Sequence, residues 1–219
     1  MMSNASEPAG RGHAAQGGRP AQGGQATLRS LAKADRRQAL LTAAAGLFSQ
    51  HGFNRVSIED LGSAAGVSGP AVYRHFTSKQ AVLGALLVGV SADLFDGGTS
   101  VVAAAADDAA ALRTLIEFHV DFALSNPDVI RVQDRDLDNL APPDLASVRK
   151  LQRGYIDLWV AVLGRLEPGT DPASRRLKVQ ATFGLINSTP HSARSHGRKI
   201  AARTARPVLE RMARAGLLA

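Results

Sequence analysis

The segment Ser57-Ile-Glu-Asp-Leu-Gly-Ser-Ala-Ala-Gly-Val-Ser-Gly-Pro-Ala-Val-Tyr-Arg-His-Phe-Thr-Ser-Lys79 has the residue pattern of two short helices joined by a tight turn. Ser57 followed three residues later by Asp60 is a capping-box pattern, which marks a helix start. Gly66 fits the position after a helix end, where the chain takes a positive φ that glycine adopts without a Cβ clash. Ser68 can cap a second helix, with Pro70 in its first turn. We therefore predict helix, turn and helix here.

The second of these helices is short, about two turns, and its inward face is limited to Val72 and Phe76. Tyr73, Arg74 and His75 are left on other faces, so burial alone does not explain the composition of this helix. Its geometry is that of a helix-turn-helix, in which the second helix lies in the major groove of DNA. The alternative is an ordinary corner of two helices in some other helical protein.

The surrounding residues strengthen the first interpretation, because they resemble the DNA-binding domain of the tetracycline-repressor (TetR) family over roughly residues 34 to 90. The shared positions are Leu47-Phe48-x-x-x-Gly52-Phe53-x-x-Val56-Ser57-Ile58-x-Asp60-Leu61-x-x-x-Ala65-Gly66-Val67-Ser68-x-x-x-x-Tyr73-x-His75-Phe76-x-Ser78-Lys79. The resemblance implies an all-α protein. Residues 31–80 would form a three-helix DNA-binding domain with a helix-turn-helix, and residues 81–219 a larger helical ligand-binding and dimerisation domain.

Matched position by position, the resemblance also implies two sets of DNA contacts. Phosphate contacts fall at Tyr73, His75 and Lys79, whose side chains are all hydrogen-bond donors, with Ser57 as a further donor. Groove-facing positions fall at Gly69, Pro70, Ala71 and Arg74. Arg74 can read a base, since a guanidinium forks onto guanine O6 and N7, and a phosphate contact is its equal alternative.

Composition agrees with a helical, intracellular protein. The chain has 219 residues, 45% hydrophobic but only 5% aromatic, and no cysteine, which excludes disulfides and a cysteine nucleophile. The first thirty residues lack the apolar block of a signal peptide. The longest apolar run, Ala81 to Val90, is about half of what a membrane span needs. We expect a soluble cytoplasmic protein without membrane contact.

The net charge of +7 is concentrated at both ends of the chain. Residues 1–30 are rich in Gly, Ala, Gln, Pro and Ser with scattered arginines, a composition that predicts a disordered tail. That tail is either passive or an arm that contacts the DNA backbone. Arg36 and Arg37 lie near the start of the first predicted helix, 33–51, and are further candidates for backbone contacts.

The rest of the chain reads as helices separated by Pro and Gly. The first of these predicted helices runs from Ser78 to Phe95 and is ended by Asp96 to Ser100. Asp144 is predicted to cap a later helix that runs to Leu166. The other predicted helical spans are Ala103 to Ser125, 128–140, 173–188 and 198–217. In the family, the last two long helices pair with those of a second subunit. The resemblance therefore implies a homodimer through about 173–192 and 198–217, in which the apolar residues Val208, Leu209, Met212 and Leu217 would be covered. A twofold dimer would read an inverted-repeat operator.

The resemblance further implies a repressor that a small molecule releases from DNA by binding within the second domain. The candidate lining residues are aromatic or polar side chains on apolar faces, and core packing is the alternative for each of them. They are Phe118, His119, Phe122, Arg135, Tyr155, Trp159, Phe183 and Asn187. Arg135 would favour an anionic ligand such as an acyl-CoA, although the neighbouring Asp134, Asp136 and Asp138 offer a plain salt bridge instead. The expected effector is largely apolar.

Other classes of function find little support. No nucleophile elbow and no glycine-rich phosphate cradle is present, so we expect no enzyme and no cofactor. His191 and His196 lie five residues apart without nearby acids, so we expect no metal site. The second hypothesis is a DNA-binding regulator without a small-molecule ligand, controlled by a protein partner. A cavity of ~300–1,000 Å³ in the second domain would favour the ligand-binding alternative.

Overall fold

The computed structural model describes residues 22–192, 194–195 and 198–219, and helices account for most of them. The helices are α1 (Gln22–His51), α2 (Ile58–Ala64), α3 (Gly69–Val72), α4 (Lys79–Ala103), α5 (Asp108–Ser125), α6 (Pro127–Asp136), α7 (Pro142–Leu166), α8 (Pro172–Asn187), α9 (Thr189–Ser192) and α10 (Ala202–Leu217). Short 3-10 turns follow α1 at Phe53–Arg55 and α6 at Leu137–Asn139. The two-residue strands β1 (Arg194–Ser195) and β2 (Arg198–Lys199) pair antiparallel. The predicted all-α class is confirmed.

The chain divides into two compact units, Met1–Asp35 and Arg36–Ala219. In the first unit the described residues are helical, and α1 begins at Gln22, whereas the sequence pattern places its start near residue 33. Ala, Leu, Lys, Gln and Arg are common between these positions, and all are good helix formers. The remainder of the predicted tail, residues 1–21, lies outside the described residues.

The prediction that Asp96 to Ser100 ends α4 is wrong, because the helix continues to Ala103. A Cβ added at Gly97 would lie 2.4 Å from Cζ of Phe118, and one at Gly98 would lie 2.4 Å from Cε2 of Tyr155. The two glycines therefore let aromatic rings of α5 and α7 approach the α4 backbone closely. They serve packing and do not end the helix.

Other helix starts also differ from the sequence pattern. α5 begins at Asp108, and the side chain of Asp107 caps it by accepting from the backbone N–H of Ala110 at 2.7 Å. α7 begins at Pro142, so Asp144 lies in its first turn, where a carboxylate interacts well with the helix dipole, and is not the cap. α10 begins at Ala202, after the β1–β2 pair.

Two clusters of buried side chains hold the second unit together. The first core combines α1 to α4 with residues of α6 and α7, and it includes Val82 and Leu87, beyond the predicted domain boundary at residue 80. The second core gathers α5, α7, α8 and α10 around Trp159, and Leu94 and Phe95 of α4 pack against it. α4 thus contributes to both cores, while the boundary itself stays a prediction.

Within the described part of the chain, one helix, α4, is long and apolar enough to cross a membrane by length and composition alone. It packs against α5 and α7, and its residues Leu83 and Leu87 are fully buried in the first core. Core helices of globular proteins satisfy the same criterion, so we interpret α4 as such a helix.

Candidate DNA-binding surface and ligand cavity

The turn between α2 and α3 is fixed by local hydrogen bonds and by two glycines. Ser57 and Asp60 form the predicted capping box, in which Ser57 Oγ accepts from the Asp60 N–H at 3.0 Å and Asp60 Oδ2 accepts from the Ser57 N–H at 2.8 Å. Gly66 has φ 70°, the positive value expected at this position. A Cβ at Gly62 would lie 2.9 Å from the carbonyl oxygen of Val67, so the turn passes directly over α2. These features set the angle between the two helices.

α3 presents its polar side chains outward, as the sequence predicts. Val72 is fully buried and Phe76 is 4% exposed, whereas Tyr73 is 56% exposed and Arg74 is exposed as well. Helical hydrogen bonds continue past the end of the α3 span, with the Phe76 N–H donating to the Val72 carbonyl at 3.0 Å. The two buried residues therefore seat a short helix whose outer side carries a phenol and a guanidinium.

The remaining predicted groove-facing residues lie at the start of the same helix. Pro70 is exposed, while Gly69 and Ala71 are half-buried. His75 is half-buried, and its Nδ1 has no hydrogen-bond partner among the described residues. This nitrogen is itself buried, so it is not accessible to a phosphate oxygen in this conformation.

Lys79 and Ser57 have structural contacts that the sequence did not reveal. Lys79 Nζ donates to the Phe53 carbonyl at 2.8 Å and lies 4.4 Å from the centre of the Phe53 ring. Ser57 Oγ, besides capping α2, donates to Asp60 Oδ2 at 2.7 Å. Both side chains therefore brace the helix-turn-helix, and any phosphate contact from Ser57 would compete with Asp60.

Arg36 and Arg37, the candidates near the start of the first predicted helix, are both exposed. The guanidinium carbon of Arg37 lies 4.9 Å from the centre of the Phe76 ring, a cation–π distance. Positive charge thus continues from α3 onto the neighbouring part of α1.

In the second core, several predicted ligand residues line one cavity of about 200 Å³, which we call the His119 cavity. Of the predicted residues, it is lined by His119, Tyr155, Phe183 and Asn187. The sequence missed its other lining residues, which are Ser91, Leu94, Gln133, Gln152 and Ile156. The only sequence signal for these is a polar residue on an otherwise apolar helix face, as at Ser91 in α4.

The wall of the His119 cavity is a cluster of stacked rings. The Phe183 ring lies 4.6 Å from the His119 ring and 5.4 Å from the Tyr155 ring, stacked on both. Trp159 is fully buried and meets Phe183 edge-on at 5.0 Å, so it supports the wall from behind and does not line the cavity. Aromatic packing of this kind holds the rings in fixed orientations.

His119 is uncharged at neutral pH. It is 2% exposed, and burial lowers the pKa of its imidazole to about 4, an effect that the nearby Asn187 amide opposes. Burial also raises the pKa of the Tyr155 phenol, which therefore keeps its proton. Tyr155 Oη lies 3.5 Å from His119 Nδ1, while His119 Nε2, Trp159 Nε1 and Asn187 Oδ1 are buried without a hydrogen-bond partner among the described residues.

Phe118 and Phe122 line a second space of about 370 Å³, which we call the Phe122 cleft. It shares Leu94 with the His119 cavity, and the Phe122 and His119 rings are 5.9 Å apart. Asp93 and Asp121 lie on its rim, and Asp121 forms an ion pair with Arg206 of α10. Six of the eight predicted ligand residues therefore line two adjoining spaces, while Trp159 lies behind the ring cluster and Arg135 lies elsewhere.

Arg135 lies at the junction of α6 with the end of α1. Its guanidinium donates to the carbonyl oxygens of Phe48 and Ser49 and pairs with Asp136, with Nη2 at 3.0 Å from Oδ2. It lines neither the His119 cavity nor the Phe122 cleft. The structure thus has the salt bridge that the sequence offered as the alternative to an anion site.

Exposed apolar residues mark one side of α8 and α10. Leu177 is 67% exposed, Met212 is 51% exposed and Val208 is 43% exposed. Leu217, which the sequence analysis placed with the apolar residues a partner would cover, is instead fully buried in the second core. Among the described residues, no group of three or more His, Asp or Glu side chains is arranged to hold a metal ion.

Two family models match the chain. One, described as bacterial regulatory proteins of the tetR family, matches residues 40–86, and the other, described as the tetracyclin repressor-like C-terminal domain, matches residues 105–215. The HTH-type transcriptional repressor KstR2 of Rhodococcus jostii is 27% identical over 160 residues, which cover 72% of this chain and 77% of that protein. The HTH-type transcriptional regulator EthR of Mycolicibacterium smegmatis is 30% identical over 165 residues, covering 70% and 71%.

Solved structures agree with the fold. A TetR-family transcriptional regulator from Bordetella parapertussis superposes with a TM-score of 0.71 at 20% identity, covering 81% of this chain and 93% of that one. The ketosteroid transcriptional regulator KstR2 of Mycobacterium tuberculosis superposes with a TM-score of 0.68 at 23% identity, covering 83% and 93%.

Proposed function

Because the chain belongs to the tetracycline-repressor family of bacterial transcriptional regulators, we propose that it is a ligand-responsive repressor that binds an inverted-repeat operator as a homodimer. The observation that carries this proposal is the orientation of α3. Val72 and Phe76 hold the helix in the first core, so Tyr73 and Arg74 point away from it. A short helix that exposes donors of this kind suits the major groove.

Each copy of α3, together with the residues that follow it up to Lys79, would contact DNA through two kinds of group. Arg74 would read a base edge, while Tyr73, His75 and Lys79 would donate to phosphates. Lys79 retains donor capacity for this role, since an ammonium has three N–H groups and the carbonyls of Phe53 and Asn54 accept from two of them. Arg36 and Arg37 would extend the positive surface along α1.

The homodimer would form through the exposed apolar side chains of α8 and α10. Leu177, Val208 and Met212 are exposed, and together they would form the apolar surface that the partner subunit covers. A twofold axis through this surface would pair α8 and α10 of one subunit with those of its partner. Such symmetry places two copies of α3 on the same face of a duplex, about one helical turn apart or somewhat more.

A small, largely apolar molecule in the second core would act as the effector. The Phe122 cleft, at about 370 Å³, lies within the size range of ligand pockets, ~300–1,000 Å³, and adjoins the His119 cavity. Both spaces border α4, whose Val82 and Leu87 belong to the first core beneath α3. A ligand that displaced α4 would therefore change the spacing of the two α3 helices. These spaces favour the ligand-responsive function over control by a protein partner alone.

The test is selection of bound duplexes from a random DNA library by the purified full chain, followed by sedimentation of the complex. We expect an inverted repeat bound by two chains. Met212→Glu places a charge in the apolar surface, and we expect this variant to sediment as a monomer and to bind the selected duplex more weakly. A lack of any enriched sequence, or an enriched site bound by a single chain, would contradict the proposal. We further propose that the protein works in the cytoplasm, without enzymatic activity or cofactor.

A further inference from the structure

The His119 cavity differs from the rest of the molecule in having no formal charge on its walls. Among the described residues, no Asp, Glu, Lys or Arg side chain lines it. Its polar groups are amides, hydroxyls and the imidazole of His119, which is neutral because it is buried. An anion placed here would lose its hydration without gaining a cationic partner, which is strongly unfavourable.

The neighbouring Phe122 cleft does not supply the missing positive charge. The charged side chains that line it are the carboxylates Asp93 and Asp121. Arg206 of α10 forms an ion pair with Asp121, so its charge is already engaged. Arg135, the one candidate anion ligand suggested by the sequence, is engaged with the end of α1. Among the side chains that the structure describes, an anionic ligand therefore meets no free cation in either space.

Two buried polar atoms on the cavity residues have no partner with hydrogen-bond geometry among the described residues, although the Asn187 side chain is close enough to raise the pKa of His119. His119 is 2% exposed and its Nε2 has no hydrogen-bond partner among the described residues, and the same holds for Asn187 Oδ1. Tyr155 Oη lies 3.5 Å from His119 Nδ1, and in the tautomer in which the phenol donates to Nδ1 the imidazole proton is on Nε2. In that tautomer the cavity residues carry one N–H donor and one carbonyl acceptor beside the stacked Phe183 ring.

Buried groups of this kind are normally paired, and the oxygen of a bound molecule would supply a partner for His119 Nε2. We propose that the His119 cavity accepts an uncharged, ring-containing molecule whose carbonyl or hydroxyl oxygen pairs with His119 Nε2. This inference rests on the proposed ligand-responsive function and selects the ligand class. The cavity volume of about 200 Å³ suits a compact molecule. An acyl-CoA, with its phosphates and length, is the competing class.

Three probes of nearly equal shape separate charge from hydrogen bonding. Acetophenone has a neutral carbonyl, benzoate replaces its methyl group by a charged oxygen, and α-methylstyrene replaces its carbonyl oxygen by a methylene. Octanoyl-CoA represents the competing class. The measurement is titration calorimetry on the full chain, supported by melting curves. We expect acetophenone to bind at least about tenfold more tightly than benzoate and octanoyl-CoA, and about tenfold more tightly than α-methylstyrene.

Two variants connect the binding to the cavity residues. His119→Phe keeps a ring for Phe183 to stack on but removes the donor, so acetophenone and α-methylstyrene should then bind equally. Gln152→Lys adds a cation to the wall, so benzoate should become the preferred probe. Ser147→Ala, at an exposed position of α7 that lines neither the His119 cavity nor the Phe122 cleft, is the matched control and should leave all affinities unchanged.

The inference is overturned if benzoate or octanoyl-CoA binds as tightly as acetophenone, if acetophenone fails to bind at millimolar concentration, or if His119→Phe leaves its advantage intact. None of these results affects duplex selection by the same protein, which tests the proposed function separately. Conversely, if acetophenone binds through His119 but leaves occupancy of the selected duplex unchanged, the ligand class stands and release by this ligand is excluded.

Discussion

The α2–α3 pair and the His119 cavity differ in where their residues lie in the sequence and in which side chains they expose. The pair is built from one continuous segment, 57–79, which buries Ile58, Leu61, Val72 and Phe76 and exposes Arg74. The cavity collects residues from Ser91 to Asn187 on five helices and hides its polar atoms. A surface that binds a charged polymer can be formed by residues that are neighbours in the sequence, whereas a cavity depends on how distant helices pack.

The two regions also differ in electrostatics. Around α3, the exposed side chains of Arg74 and Arg37 carry positive charge into water, where it is available to phosphates, and half-buried Lys79 adds a third charge. In the cavity, burial keeps His119 neutral. The comparison predicts that substitutions near α3 change DNA binding, and that those near His119 change stability with pH and ligand binding.

The largest expected effect is at the inner side of α3. Phe76→Ala removes a ring that is 4% exposed, and we expect a loss of about 3–5 kcal/mol in the free energy of unfolding, since large-to-small core substitutions leave a cavity. Tyr73→Ala, at a 56% exposed neighbour, should leave stability nearly unchanged. Urea unfolding of both variants measures this, and equal losses would mean that α3 is not oriented as described.

The next effect concerns pH and His119. Its pKa is lowered to about 4 in the folded chain from 6.5, so between these values the unfolded state binds more protons and stability falls as pH falls. We expect a loss of roughly 3 kcal/mol between pH 7 and pH 4 from this group. Unfolding of wild type and His119→Phe across this range measures it. A wild-type curve parallel to that of His119→Phe would contradict the buried neutral imidazole.

Two glycines of α4 provide a matched pair. Gly98→Ala would place Cβ 2.4 Å from the Tyr155 ring, whereas a Cβ at Gly89 meets nothing within 4 Å. We expect Gly98→Ala to cost about 1–3 kcal/mol through overpacking, and Gly89→Ala to gain about 0.5–1 kcal/mol through helix propensity. Melting temperatures of the two variants decide the matter, and a stabilising Gly98→Ala would show that the helices are not in close contact.

The smallest predicted difference separates two cations near α3. Arg74→Ala should cost about 1–3 kcal/mol in DNA binding and relax preference at one operator position, while Lys79→Ala should weaken all sequences alike. Because Lys79 also donates to the Phe53 carbonyl, its variant should melt at a lower temperature as well. Selection profiles of the two variants distinguish these roles, and an unchanged Arg74→Ala profile would remove the base-reading role.

The sequence predicted the helix-turn-helix because its determinants are neighbours in the chain: a capping box at Ser57 and Asp60, a positive φ at Gly66, and two buried residues one turn apart. The family is likewise confirmed. The predicted end of α4 was wrong because Gly97 and Gly98 make room for rings of α5 and α7 and do not stop the helix. Those rings are distant in sequence, so the local residue pattern carries no sign of them. Arg135 likewise contacts the end of α1, which is distant in sequence. The sequence alone could therefore not show that Arg135 lies away from the other ligand candidates.

The measurement that tests the account most directly is titration of the selected duplex with the wild type, with the double variant Tyr73→Ala/Arg74→Ala and with Arg153→Ala. Arg153 is an exposed arginine of α7 and serves as the control for loss of one positive charge. We predict that the double variant binds at least about tenfold more weakly at unchanged stability, while Arg153→Ala binds like the wild type. Equal affinity of all three proteins would contradict the assignment of α3 as the DNA-reading helix.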